Sequence, residues 1–284
     1  MENTELKKYF DRIHYSKNAD PTIETLKDIH ALQPQYITFE NTDTYTGHVP
    51  KVDWKSVFTK LVMHNRGGYC YEQNVLLKNV LETIGFDVTS HLGRVLWGGK
   101  KESKSPRTHM LLIVSFEGEK YLVDSGFGTV TLTSPLILDS EEQQVTPNGI
   151  FTISKENHIY TLTLIAEDKM PIYEFSLESV EQSDVEVANW YIATNPSSIF
   201  RENLIVTKVD GIARYTLNNT SLNMRYNNGV RENIDINNYE ELLILLENVF
   251  HINIQNINDK ELLMKKFNRE VELTDVGGNK KDGF

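Results

Sequence analysis

The chain has one cysteine in 284 residues, so it cannot form an internal disulfide. A lone thiol also argues against a zinc or iron–sulfur centre built on thiolates. No uninterrupted apolar run approaches the ~18 residues of a membrane span. Met1 to Tyr15 is polar and amphipathic and has no signal-peptide core. Cationic residues are also scarce: 29 Lys and Arg against 40 Asp and Glu leave a net charge of −11. Such a balance opposes a polyanionic partner such as nucleic acid. Repeats and low-complexity tracts are missing. These absences lead us to expect a cytoplasmic protein without metal, membrane or nucleic-acid partners. What is present is ordinary for a globular protein, with 39% hydrophobic and 24% charged residues. The length allows a substantial core and two or three domains.

Residues 1–85 read as a mostly helical unit, with helices expected near 4–13, 21–33 and 53–64 and a further one opened by Cys70. Pro21 suits a first helical turn. Residues 86–185 change character. Short runs rich in Val, Ile, Thr, Phe and Tyr alternate with turn residues, at 88–96, 109–116, 120–124, 150–154, 159–166 and 172–177. This pattern predicts a closed or nearly closed antiparallel barrel. Residues 186–284 mix short strands (204–209, 212–217, 222–226) with helices near 238–250 and 258–268, an α/β unit ending in a Gly-rich tail. The fold class expected is α+β.

The cysteine sits in Arg66-Gly67-Gly68-Tyr69-Cys70-Tyr71-Glu72-Gln73-Asn74. Two glycines give the backbone a freedom that a Cβ would forbid. Leu76, Leu77, Val80, Leu81 and Ile84 then recur at helical spacing, and Gly85 is a natural stop. Cys70 therefore falls at a helix N-terminus, where unpaired N–H groups and the positive dipole end favour an anion. A thiol there ionises more readily, and the thiolate is the nucleophile. The competing reading is a small buried hydrophobe.

A nucleophile needs a base and an orienting group. The stretch from Thr108 to Gly128 reads as strand, tight turn, strand, with Glu117-Gly118 at the turn. If Phe116 pairs with Glu119, Asp124 lies opposite Leu111. His109 is then on the same face as Asp124, within reach of it. The apolar neighbours Met110, Leu112, Val114, Leu122 and Val123 imply that Asp124 is buried and needs a partner. A histidine held by a carboxylate is fixed in one tautomer and stabilised as a cation. The alternative is that Asp124 caps the turn at Ser125-Gly126. With Cys70 ahead of them, the order Cys, His, Asp is the papain-like and transglutaminase-like arrangement.

At this point the sequence resembles the arylamine N-acetyltransferases. The cysteine motif, Thr108-His109, and Val123-Asp124-Ser125-Gly126-Phe127-Gly128 are similar to that family's elements. Ile37-Thr38-Phe39-Glu40-Asn41 and Asn195-Pro196-Ser197-Ser198-Ile199-Phe200 resemble two more, all in order. The resemblance implies a three-domain cysteine-transferase fold: a helical bundle (1–85), a β-barrel (86–185), and a linker helix with an α/β lid (186–284). It implies acetyl-CoA as donor and an aromatic amine, hydrazine or hydroxylamine as acceptor, through an acetyl-cysteine thioester. Cys70, His109 and Asp124 would form the triad. Phe39, Val95, Phe127 and Phe200 would surround the acceptor, and Thr108 and Gly126 would meet the donor. Glu40 and Arg66 would pair and fix the cysteine loop.

Thr38, Ser125 and Asn195 depart from the family pattern, which has Pro, a small apolar residue and His in their places. A basic loop, Lys100, Lys101, Lys104 and Arg107, could meet the phosphates of CoA or simply be solvated. The same triad could serve a macrolactam-forming amide synthase or a cysteine hydrolase, and a non-catalytic CoA-binding protein is a further alternative. Trp97, Phe127 and Phe200 argue mildly for a small acyl group.

Overall fold

A computed structural model of the chain describes residues 1–98 and 105–277. Lys100, Lys101 and Lys104 of the basic loop lie outside these residues, as does the chain beyond Gly277.

The N-terminal part holds helices α1 (Asn3–Ile13), α2 (Ile23–Tyr36), α3 (Thr42–Tyr45), α4 (Trp54–Phe58) and α5 (Cys70–Ile84), with the two-residue strand β1 (Phe39–Glu40) before α3. Pro21 lies before the cap of α2. Thr22 is the cap, accepting from the Thr25 N–H at 3.2 Å. The helix expected over 53–64 is α4 followed by a wider π-turn, Thr59–Met63. Helix α5 is buried around most of its circumference, including Cys70 through Leu77. It ends at Gly85, whose φ of 114° a side chain would resist.

Eight antiparallel strands follow: β2 (Asp87–Val95), β3 (Arg107–Phe116), β4 (Glu119–Val123), β5 (Leu136–Ile137), β6 (Gln144–Thr146), β7 (Gly149–Glu156), β8 (Ile159–Ile165) and β9 (Lys169–Phe175). Their order in the sheet is β5-β4-β3-β2-β9-β8-β7-β6. The two edges meet through a side chain. The Gln144 amide accepts from the Ile137 N–H at 2.7 Å and donates to its carbonyl at 2.8 Å, as a paired strand residue would. The β3–β4 hairpin has the expected register, Phe116 opposite Glu119. Glu117 and Gly118 both have positive φ, 51° and 85°, the turn whose twist matches the strands.

Strand β3 is buried on both faces. Met110, Leu112 and Val114 join the core around α5, while Leu111 and Ile113 face the barrel interior. It is the wall shared by helices and barrel, and it carries His109.

Helices α6 (Gln182–Thr194) and α7 (Ile199–Glu202) lead into strands β10 (Ile205–Val209), β11 (Ala213–Asn218), β12 (Ser221–Tyr226) and β13 (Arg231–Asp235). Helices α8 (Tyr239–Asn248) and α9 (Lys260–Gly277) cover one face of that sheet. The sheet order is β1-β10-β11-β12-β13, so its first strand comes from the N-terminal part. On its other side Phe39 bridges to Gly68, and the Glu40 N–H donates to the Gly68 carbonyl at 3.2 Å. One dipeptide thus ties the cysteine loop to the C-terminal sheet. No helix among the described residues is long and apolar enough to cross a membrane.

Candidate active site

Cys70 is the first residue of α5 and is nearly buried, at 5% exposure. The loop before it is compressed by close approaches. A Cβ on Gly67 would lie 2.0 Å from the Thr38 carbonyl oxygen, and one on Gly68 2.6 Å from Glu72 Oε2. That Glu72 oxygen accepts from the Tyr69 N–H at 3.1 Å and closes the helix start. The N–H groups of Cys70 and Tyr71, in the first turn, have no intrahelical acceptor.

His109 Nε2 donates to Asp124 Oδ2 at 2.7 Å. Nδ1 is the ring nitrogen left for Cys70, whose proximity also favours the charged ring. Burial opposes the charged ring. The Asp124 carboxylate more than offsets it and, with Cys70, raises the His109 pKa to about 10. Asp124 is fully buried, yet its pKa is held below the usual carboxylate range: burial is outweighed by His109 and by neutral donors. Those donors are Asn74 Nδ2 (2.9 Å), the Gly126 N–H (2.8 Å) and the Tyr173 hydroxyl (3.0 Å).

The sequence reading missed Asn74 and Tyr173 as supports. Asn74 stands one helical turn after Cys70 within the quoted motif, so its spacing was a usable signal. Tyr173 was not findable, because it reaches Asp124 only through the β2–β9 pairing that brings the barrel round. Beneath Asp124, His30 Nε2 accepts from the Asp124 N–H at 3.2 Å. Burial keeps this ring neutral, with its pKa lowered to about 4.

Thr108 and Gly126 lie beside Cys70 and Asp124 with backbone groups already engaged. The Thr108 carbonyl accepts from the Tyr71 hydroxyl at 2.6 Å, and Cys70 Sγ lies 4.0 Å from it. The Gly126 N–H goes to Asp124, and a Cβ there would lie 2.7 Å from the Cys70 Cα. Gly126 therefore has no spare N–H for a donor, and its lack of a side chain is what lets the aspartate loop sit against the cysteine.

The aromatic residues form two groups. Phe39 and Phe200 are 6.0 Å apart by ring centroids, and Phe200 packs edge-on against Tyr69 at 5.8 Å. Phe127, half-buried, is T-shaped to His109 at 5.0 Å and lies 5.5 Å from Tyr173. The loop joins the groups, since Gly128 lies under the Phe39 ring. Val95 is opposite Tyr173 in the β2–β9 pair, at an exposed strand end.

Arg66 and Glu40 are both buried, with Arg66 Nε donating to Glu40 Oε1 at 2.8 Å. The sequence reading saw a pair; the structure holds a network. Arg66 also meets Asp43 (3.0 Å), and Lys60 bridges Asp43 and Glu72 at 2.7 Å each. Burial alone would neutralise these groups. Arg66 and Lys60 nevertheless hold Glu40 and Asp43 below the usual carboxylate range. In Glu72 burial prevails over Lys60, and the pKa is pushed up to about 7. The network lies directly under the start of α5.

The departures have partners. The Thr38 hydroxyl donates to the Phe250 carbonyl at 2.6 Å, a link proline could not make. Ser125 Oγ accepts from Gln33 Nε2 at 2.8 Å. Asn195 ends α6, and its side chain accepts from the Ser197 N–H at 3.0 Å.

A family model described as N-acetyltransferase matches residues 22–259. The chain is 35% identical over 260 residues to an arylamine N-acetyltransferase of Mycolicibacterium smegmatis, covering 89% of this chain and 94% of that protein. It is 34% identical to an arylamine N-acetyltransferase / N-hydroxyarylamine O-acetyltransferase of Salmonella typhimurium, covering 88% and 89%. Among solved structures it is similar to Mycobacterium marinum arylamine N-acetyltransferase in complex with CoA. That match has a TM-score of 0.88 and 32% identity, over 93% of this chain and 98% of that one.

Proposed function

The chain belongs to the arylamine N-acetyltransferase family, and from that premise we propose that Cys70, His109 and Asp124 carry its acetyl transfer. The protein is an acyltransferase that moves an acetyl group from acetyl-CoA to an aromatic amine. The observation that carries the residue assignment is the buried Asp124–His109 pair beside the one thiol, at a helix N-terminus.

Cys70 attacks the acetyl carbonyl as a thiolate, its proton resting on His109. The oxyanion is stabilised by the unpaired first-turn N–H groups of Cys70 and Tyr71. The CoA sulfur leaves with a proton from His109, which leaves an acetyl thioester on Cys70. A neutral aryl amine attacks that thioester, and His109 takes its proton. The cycle is ping-pong. We assign Phe39, Phe127 and Phe200 to the acceptor and to keeping water from the thioester, with Val95 at the rim. Hydrazines and arylhydroxylamines fit the same site. The Glu40–Arg66 pair, with Asp43, Lys60 and Glu72, holds the cysteine loop in place. The division at 1–85, 86–185 and 186–284 is our assignment of bundle, barrel and lid. We place the enzyme in the cytoplasm because its only thiol must stay reduced to act.

The test is two-substrate kinetics with acetyl-CoA and an aniline, alongside an alkyl amine of similar size. Parallel double-reciprocal lines and a strong aniline preference at neutral pH are expected. Intersecting lines, or an alkyl amine that matches the aniline at neutral pH, would contradict the assignment.

A further inference from the structure

Strand register lines up Val209, Arg214, Arg225 and Arg231 as one row across the C-terminal sheet, on the face turned away from α8 and α9. Like charges directly opposite one another weaken a sheet. Arg225 and Arg231 are exposed, where salt and water screen them. Arg214 is half-buried, and this burial, with Arg225 beside it, lowers its pKa to about 10. No carboxylate among the described residues pairs with it. Asp210, four residues earlier, accepts instead from the Ile212 and Ala213 N–H groups at 2.8 and 2.9 Å. The Arg214 guanidinium goes to two main-chain carbonyls: Nη1 donates to Thr129 at 3.0 Å, and Nη2 donates to Asn148.

Asn148 is in the turn between β6 and β7. Thr129 is in the irregular segment 124–135 that joins β4 to β5 and carries Asp124 and Phe127. The start of that segment is well held: Asn74, His109 and Tyr173 donate to Asp124, and Gln33 donates to Ser125. Farther along it closes only on itself. The Thr131 N–H donates to the Gly128 carbonyl at 3.1 Å, and the Thr131 hydroxyl to the Asp124 carbonyl at 3.2 Å. Past Ser125, the Arg214 bond is the one hydrogen bond among the described residues that reaches the segment from another part of the chain. The two Arg214 bonds are also the only hydrogen bonds among the described residues between 86–185 and 186–284. The C-terminal sheet is otherwise tied to the N-terminal helices, by the β1–β10 pairing, by Arg66 to the Asn256 carbonyl and by Thr38 to the Phe250 carbonyl.

The same sheet carries one of the two aromatic groups. Phe39 lies in its first strand, and Phe200 lies in α7, which leads into β10. Phe127 belongs to the barrel side. We infer that Arg214 is a positioning residue for the acceptor: by pinning Thr129 to the sheet, it sets the spacing between Phe127 and the Phe39–Phe200 pair. The inference rests on the assignment of those aromatics to the aryl amine. Arg214 touches neither the reacting atoms nor the triad, and acts through Phe127. Freeing the segment should loosen the grip on an aryl ring and leave the thioester chemistry intact.

The test uses Arg214→Met and Arg214→Lys in the full chain. Cys70 is first acetylated with S-acetyl-N-acetylcysteamine, a donor without a nucleotide. The acetyl-enzyme is then discharged by aniline or by hydroxylamine, which has no ring for Phe127 to hold. With Arg214→Met the aniline KM should rise about tenfold at little-changed kcat, the scale of hydrogen bonds lost from a charged group. Discharge by hydroxylamine should match the wild type. Arg214→Lys keeps the charge and can reach one carbonyl, so its aniline KM should fall between the two; it carries the test alone if Arg214→Met does not fold. An unchanged aniline KM, or equal slowing for aniline and hydroxylamine, would overturn the inference, the second because it marks damage to the triad itself. A Phe127→Ala variant with a normal aniline KM would overturn the acceptor assignment and the inference with it. A wild-type acetyl-enzyme that aniline cannot discharge would instead overturn the functional reading.

Discussion

Asp124 and Arg225 show two ways of using charge in one molecule. Asp124 is wholly enclosed, and His109, Asn74, Gly126 and Tyr173 each donate to it from a fixed element. Arg225 stands exposed on the C-terminal sheet with no side-chain partner among the described residues. The same contrast separates the layer beneath Cys70 from the surface above it. Below are a buried ion network, glycines that a methyl group would push apart, and a neutral buried His30. Above are a half-buried Phe127, an exposed Val95 and an open arginine row. The lower layer must hold atoms in place through both half-reactions, and its charged groups are each satisfied by protein partners. In the function proposed above, the upper layer meets donor and acceptor in turn.

Substitutions below should therefore abolish chemistry or fold, and those above should shift recognition. Asp124→Asn is expected to have the largest effect, lowering kcat about 10⁴-fold for every donor and acceptor. It should also change the pH dependence of stability. The His109 pKa rises from 6.5 to about 10 on folding. The stability it contributes is complete below 6.5 and is lost as pH climbs toward 10. Urea midpoints measured across that window should fall for the wild type and stay flatter for Asp124→Asn. Equal slopes would show that the pair does not carry the charge assigned to it.

Next in size is Arg66→Met, which strands Glu40 and Asp43 under the cysteine loop. Removing one member of a buried pair costs about 3–5 kcal/mol, read as a lower urea midpoint. A near-normal midpoint would mean that water reaches the network and screens it.

Tyr173→Phe deletes one donor to Asp124 and leaves the others. About a tenfold loss in both half-reactions is expected, because hydrogen bonds to charged groups contribute more than neutral ones. A loss confined to the amine step would move Tyr173 into the upper layer.

Phe127→Ala should lower the aniline rate about tenfold through lost burial and ring contacts, while acylation by acetyl-CoA changes less. Val95→Ala, at an exposed rim, should alter aniline turnover less than about twofold. If Val95→Ala exceeded Phe127→Ala, the acceptor would lie further along β2 than assigned.

The same comparison explains what the sequence made legible. Cys70, His109 and Asp124 could be read because local rules place each one: a glycine-led helix start, and a hairpin whose Phe116–Glu119 register fixes which residues share a face. Glu40 and Arg66 came only through resemblance, and Lys60 and Asp43 not at all, because nothing local links residues that meet across the bundle. Tyr173 depends on the barrel's return strand. Strands β5, β6 and β13 were too short or too polar to stand out, and β1 is a dipeptide made a strand by its neighbours on both sides. The arginine row was invisible for the same reason. Arg214, Arg225 and Arg231 are spread through a sequence in which only strand register aligns them.

The most direct test of the lower layer as the seat of chemistry is intact mass after incubation with acetyl-CoA and no amine. The account predicts one acetyl group on the wild type, removable by hydroxylamine, none on Cys70→Ser, and slow formation on Asp124→Asn. An unmodified wild type, or an adduct that persists on Cys70→Ser, would contradict it.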